Sequence, residues 1–193
     1  EVHHARIIDF IERRVLDSEG PIYSFRNHDV RIGGIDVALN YAPDFLAEAG
    51  FSGSMAASWV EGYRQDSGRR MPELPPSEIS GTLQWERSTD ALQPRLLLGV
   101  RKVGKGTNPD PLNSPLFRET ESYEIWHLEI GLKGKSGWSF ELRLDNLFDL
   151  TYYEYLQPPV TTGVILPSDG HLQPGDSIPG PGRHLEIHLK WTF

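Results

Sequence analysis

Seven histidines, a cluster of tyrosines and a comb of carboxylates are the side chains in this sequence best equipped for chemistry. Histidine rings bind divalent metals, but two ligands must reach one ion. His3 and His4 are chain neighbours, which on a strand point to opposite faces. His184 and His188 share a face but stand four residues apart, about 13 Å at ~3.3 Å per residue. With Glu186 between them, they read as a wetted polar face, and no metal site is predicted. The Ser–Gly and Asp–Ser pairs lack the strand–turn–helix context of an activated serine. Gly99, Gly104 and Gly106 have neither the spacing nor the following helix of a phosphate loop. There is no cysteine, which removes thiolate nucleophiles, thiolate metal sites and disulfides. The remaining charges, Glu129, Lys133, Glu141, Arg143, Asp145, Glu186 and Lys190, are of mixed sign and suit cross-strand pairing. Neither a catalytic residue nor a cofactor is predicted.

These charges sit on strands. The 193 residues include 19 glycines and 15 prolines, clustered between stretches rich in aromatic and β-branched residues, an all-β rhythm. Eight strands are predicted, at 5–14, 28–42, 51–63, 77–87, 94–104, 121–133, 137–148 and 184–193. The last is the clearest: Leu185, Ile187, Leu189, Trp191 and Phe193 alternate with His184, Glu186, His188, Lys190 and Thr192. Trp138–Leu144 and Trp126–Leu132 alternate likewise. One helical turn fits between Ala42 and Gly50, too short to stand alone. The Gly33–Gly34 pair between Ile32 and Ile35 predicts a bulge or a coiled strand.

One apolar and one charged face per strand suits either a soluble sandwich with a wet outer face or a membrane barrel with a polar lumen. No apolar run is long enough for a spanning helix. The net charge of −8 argues against a general nucleic-acid binder. Three features favour the barrel. Connections alternate between short (43–50, 88–93, 134–136) and long (15–27, 64–76, 105–120, 149–183), as periplasmic turns and extracellular loops do. With a periplasmic C-terminus, Tyr41, Phe51, Trp85, Trp138 and Trp191 fall at periplasmic strand ends and Trp59 and Trp126 at extracellular ends, where amphipathic rings favour a membrane interface. Strands of about ten residues match a tilted membrane span.

The motifs also have a family likeness. Asn146-Leu147-Phe148-Asp149, followed by Tyr152, Tyr153 and Tyr155, resembles the penultimate strand and last loop of TonB-dependent outer-membrane receptors. Pro179-Gly180-Pro181-Gly182-Arg183 resembles the turn into their final strand, and Trp191-Thr192-Phe193 their C-terminal assembly signal, carried by Trp191 and Phe193. Ile8-Asp9-Phe10-Ile11 with Val30–Asp36, and the Pro-rich Met71–Pro76, are similar to an earlier strand pair and the descent after it. The resemblance implies an all-β antiparallel transmembrane barrel of about 22 strands, plugged by a separate domain. Residues 1–193 are then its C-terminal part, about eight strands, without the plug, the N-terminal strands or the TonB-binding box.

The implied function is active import of a scarce nutrient, such as a ferric siderophore or cobalamin, across the outer membrane of a Gram-negative bacterium. The implied partners are outer-membrane lipid, the plug and remaining strands of the same protein, TonB through the missing N-terminal region, and a small-molecule ligand such as a metal chelate; nucleic acid is not among them. Such receptors are not enzymes. In this frame Tyr152, Tyr153 and Tyr155 either stack on a ligand or pack against neighbouring loops. Asn146 and Asp149 hydrogen-bond backbone where the strand leaves the membrane. A passive, porin-like barrel and a soluble β-sandwich binding module are the competing classes.

Overall fold

A computed structural model describes residues 1–17, 22–111, 118–157, 164–165, 171–172 and 176–192. Eight strands form one antiparallel sheet: β1 (Val2–Asp17), β2 (Ile22–Tyr41), β3 (Phe51–Arg64), β4 (Glu78–Glu86), β5 (Leu92–Val103), β6 (Tyr123–Gly134), β7 (Trp138–Asp145) and β10 (His184–Trp191). Each of the eight overlaps a strand expected from sequence. The two-residue strands β8 (Val164–Ile165) and β9 (His171–Leu172) pair only with each other, within a stretch expected to lack structure of its own. The helical turn lies at Asp44–Glu48.

Strand order is β1-β2-β3-β4-β5-β6-β7-β10, so consecutive strands are neighbours and the sheet is open at β1 and β10. Register assigns each side chain to a face, because strand periodicity is two. Trp85, Leu83 and Gly81 face Leu96, Leu98 and Val100. Those three face Ile130, Leu128 and Trp126, and Ile130 and Leu128 then face Leu142 and Leu144. Leu144, Leu142, Phe140 and Trp138 face Leu185, Ile187, Leu189 and Trp191. One continuous apolar face results, and it is not buried: Leu189 is 78% exposed, Ile187 55% and Leu83 55%. Among the described residues the buried apolar side chains are few and gather at the end with the long connections: Val30, Met71, Val103, Tyr123, Tyr152 and Tyr155. An apolar face this large in contact with the surroundings needs an apolar medium or a partner.

Two expectations change. The first long connection, expected over 15–27, is mostly strand, because β1 and β2 run on to Asp17 and Ile22. Beyond the regular stretch Glu12, Arg26, Asn27 and His28 mix with Ile11, Leu16 and Phe25 along this ribbon, so no clean alternation marks it. Of the bulge or coiled strand expected at Gly33–Gly34, the bulge is absent: both flanking registers run unbroken through the pair. The break lies instead on β1 between Ile7 and Phe10, where Asp9 takes φ 57°. Gly34 is glycine for another reason. A Cβ there would lie 2.5 Å from His3 Nε2 and 2.7 Å from the Trp59 carbonyl oxygen.

Candidate ligand vestibule at the loop end

The polar face of the sheet is knitted by ions. Glu129 on β6 lies opposite Arg143 on β7 and takes ion pairs from Arg95 (3.4 Å) and Arg143 (3.9 Å). Arg143 also holds Asp145 at 2.9 Å. Glu186 sits between His184 (3.1 Å) and His188 (3.6 Å), so the two rings share a carboxylate rather than converge on one point. Among the described residues no three histidine, aspartate or glutamate side chains group as metal ligands.

Toward the loop end this face carries two arginines that anchor connections. Arg101, near the end of β5, donates to Glu78 Oε2 (2.8 Å) on β4 and to Glu154 Oε1 (2.7 Å) in the last long connection. Its guanidinium lies 5.9 Å from the centre of the Tyr123 ring. Burial pushes the Glu154 carboxyl up, but hydrogen bonds from Arg101 and Tyr123 outweigh it and hold the group below its ordinary value. Arg64, at the end of β3, pairs with Glu12 on β1 and with Asp110 (2.8 Å) in the connection after β5. Beside it His28 Nδ1 lies 2.7 Å from Asp66 Oδ2, a contact that lowers the Asp66 pKa. Sequence reasoning missed both arginines. Their face was legible from strand parity, but their partners lie in connections with no periodic pattern.

Asn146–Asp149 closes the last connection like a clasp. Asn146, 3% exposed, donates through Nδ2 to the carbonyls of Leu150 (2.8 Å) and Pro181 (3.1 Å), and its Oδ1 accepts from the Leu150 amide (2.9 Å). Asp149 Oδ1 accepts from the Arg183 amide (2.9 Å). Both residues take positive φ, 49° and 55°, a conformation asparagine and aspartate tolerate better than most. Leu147 continues the backbone pairing by donating to the Trp126 carbonyl (2.9 Å). Phe148 stacks edge-on against the Trp126 ring at 6.5 Å.

Two of the three clustered tyrosines are inside this assembly. Tyr152 packs on Tyr123 and over Gly180, where any Cβ would lie 2.1 Å from the ring. Tyr155 is buried and donates to the Thr107 carbonyl (2.8 Å). Burial raises the pKa of both phenols. Tyr153 stands exposed. Together with Tyr123, Leu150 and Tyr152 it lines an open hollow of about 780 Å³, rimmed by Arg118, Glu119, Glu121 and Asp176. That volume is within the range of small-molecule sites.

The aromatics expected at the membrane interfaces stand on the apolar face. Tyr41, Phe51, Trp85, Trp138 and Trp191 lie at the end with the short connections. Phe51 and Trp85 are register partners with ring centres 6.5 Å apart, and Trp138 is opposite Trp191. Trp59 and Trp126 lie toward the other end. Phe193 and the prolines Pro158, Pro159, Pro167 and Pro174 lie outside the described residues.

Residues 3–147 match the family described as TonB dependent receptor-like, beta-barrel. The chain belongs to that family. It is an all-β, antiparallel sheet of eight strands, part of a larger transmembrane barrel of that kind. Solved structures agree on the fold. The copper transporter OprC superposes with a TM-score of 0.79 at 19% identity, covering 100% of this chain and 28% of that one. The pyoverdine receptor FpvA from Pseudomonas aeruginosa PAO1, bound to pyoverdine, gives 0.65 at 16%, covering 100% and 26%. The ferric-catecholate import receptor Fiu from K12 E. coli gives 0.58 at 16%, covering 96% and 23%. The chain therefore spans about a quarter of the length of these structures. No curated protein matches significantly.

Proposed function

We propose that residues 1–193 form the C-terminal part of the wall of an active outer-membrane importer. The ligand is a scarce nutrient, such as a metal chelate, captured at the extracellular face and drawn inward by TonB acting on a plug contributed by the rest of the protein. The C-terminus is periplasmic in this reading. Tyr41, Phe51, Trp85, Trp138 and Trp191 then mark the inner interface and Trp59 and Trp126 the outer one. Trp191 and Phe193 serve as the assembly signal. The observation that carries the reading is the asymmetry of the two ends. One end is closed by tight turns. At the other, long connections fold onto arginines of the polar face and border an open aromatic hollow. The two unpaired sheet edges support further strands in the intact barrel, because an open edge in lipid leaves backbone groups unsatisfied at several kcal/mol each.

In this reading Tyr153 stacks on the ligand within the hollow, while Tyr123 and Tyr152 form its wall. The test uses the full-length receptor in cells and a panel of labelled ferric, cupric and cobalamin ligands. One ligand should accumulate only when TonB and the proton gradient are intact, and Tyr153→Ala should weaken its capture at unchanged receptor level. Accumulation that persists without TonB would establish a passive barrel instead.

A further inference from the structure

The apolar face ends in charge at its extracellular margin, and the charges are not arranged alike around the sheet. From Tyr41, at the periplasmic end of β2, to Arg31 is ten residues, about 33 Å of strand. At a tilt of roughly 40° that is about 25 Å of height, the usual thickness of the apolar band of such barrels. Arg31 shares the parity of Ile35, Val37 and Leu39, so it stands on the lipid-facing side at the outer edge of that band. Lys102, near the far end of β5, stands on the same face. It is directly opposite Glu124 and paired with it at 3.9 Å.

On β1 and β2 the opposed pair is Arg6 and Arg31. Like charges directly opposite one another on a sheet destabilise it. Arg6 is balanced by Asp29 at 3.2 Å. Arg31 is exposed and has no ion pair or hydrogen-bonding side chain among the described residues. The other acid on this face, Glu61, accepts a hydrogen bond from Tyr63 (3.0 Å), the residue opposite Arg31 on β3. Two guanidinium groups and a phenol therefore face outward together, at the depth where lipid headgroups begin.

We propose that Arg6 and Arg31 form a docking site for the phosphate of an outer-leaflet lipid headgroup. A phosphate presents acceptor oxygens that a guanidinium meets with two parallel hydrogen bonds. One placed between the two arginines would cancel their repulsion, and the acyl chains would lie along Ile35, Val37 and Leu39. The site lies outside the lumen and is independent of which ligand the receptor imports.

The test uses the full-length receptor in detergent and phosphatidylcholine vesicles doped with bisphosphorylated lipid A or with its dephosphorylated form. Wild type should retain the phosphorylated lipid through purification and prefer the vesicles that carry it. Arg6→Gln with Arg31→Gln should lower retention about tenfold. Lys102→Gln, whose charge is already answered by Glu124, should leave it unchanged. Equal retention by wild type and the double variant, or equal preference for dephosphorylated vesicles, would overturn the proposal. Displacement of the lipid by millimolar inorganic phosphate alone would also overturn it, because it would mark a generic anion site.

Discussion

Tyr123 and Tyr152 stack with ring centres 4.7 Å apart and planes inclined by 36°. Tyr123 begins β6 and Tyr152 belongs to the last connection, so this contact fixes a loop to the barrel wall. Arg101 lies against the same pair and ties in Glu154 and Glu78. The loop end is thus built as a small folded assembly of its own, and its parts are separately testable.

Arg101→Gln removes two charge-assisted contacts from partners that are about one-third exposed. After solvent screening, the expected loss is about 1–2 kcal/mol. It should appear as faster hydrogen exchange at 151–157 with little change in the strands of the full-length receptor. Uniform loosening of β4 to β6 would contradict a local role.

Asn146→Ala should cost about 1–3 kcal/mol, because it strips partners from the backbone groups of Leu150 and Pro181 at a buried position. Asp149→Ala, at a more exposed position, should cost less. Limited proteolysis between residues 150 and 180 should rank the variants in that order.

The Glu154 carboxyl is held below its ordinary value of 4.5. A depressed carboxylate adds stability that is complete above the unfolded value and fades as pH falls through the folded one. The loop contact should therefore be unchanged from neutral pH down to about 5 and weaken only in acid below 4.5. Intrinsic-rate-corrected exchange at 151–157 measures this, and Glu154→Gln should abolish the dependence.

Gly33→Ala and Gly34→Ala separate two explanations of a glycine pair. A Cβ on Gly33 meets its nearest neighbour at 3.7 Å, an ordinary contact, whereas one on Gly34 would strike the His3 ring and the Trp59 carbonyl. The second variant should be the less stable by about 1–3 kcal/mol. Equal melting temperatures would contradict close packing as the reason for Gly34.

These cases also show what the residues alone disclose. The strands from β3 onward were legible because one apolar and one polar face force a strict period of two, as in Leu185, Ile187, Leu189 and Trp191. The outer halves of β1 and β2 were not, since polar and apolar residues mix on both faces of that ribbon and its pattern carries no period. The irregularity was placed at Gly33–Gly34 because glycine signals backbone freedom, yet Asp9 supplies the unusual φ and Gly34 supplies space. Asn146 and Asp149 could be read as capping residues from their type. The Arg101–Glu154 contact could not, because it joins a strand to an aperiodic segment 53 residues away.

The central claim is that the apolar face meets lipid and the charged face a lumen. The sequence contains no cysteine, so single cysteines at residues 139 to 144, introduced into the full-length receptor with any cysteines elsewhere replaced, can each carry a nitroxide label in bilayers. The account predicts that labels at Phe140, Leu142 and Leu144 are relaxed mainly by lipid-soluble oxygen, and that those at Ser139, Glu141 and Arg143 are relaxed mainly by a water-soluble nickel chelate where the lumen is open to it. The two responses should alternate residue by residue. Equal access of the nickel chelate to both sets would contradict a membrane-spanning β7.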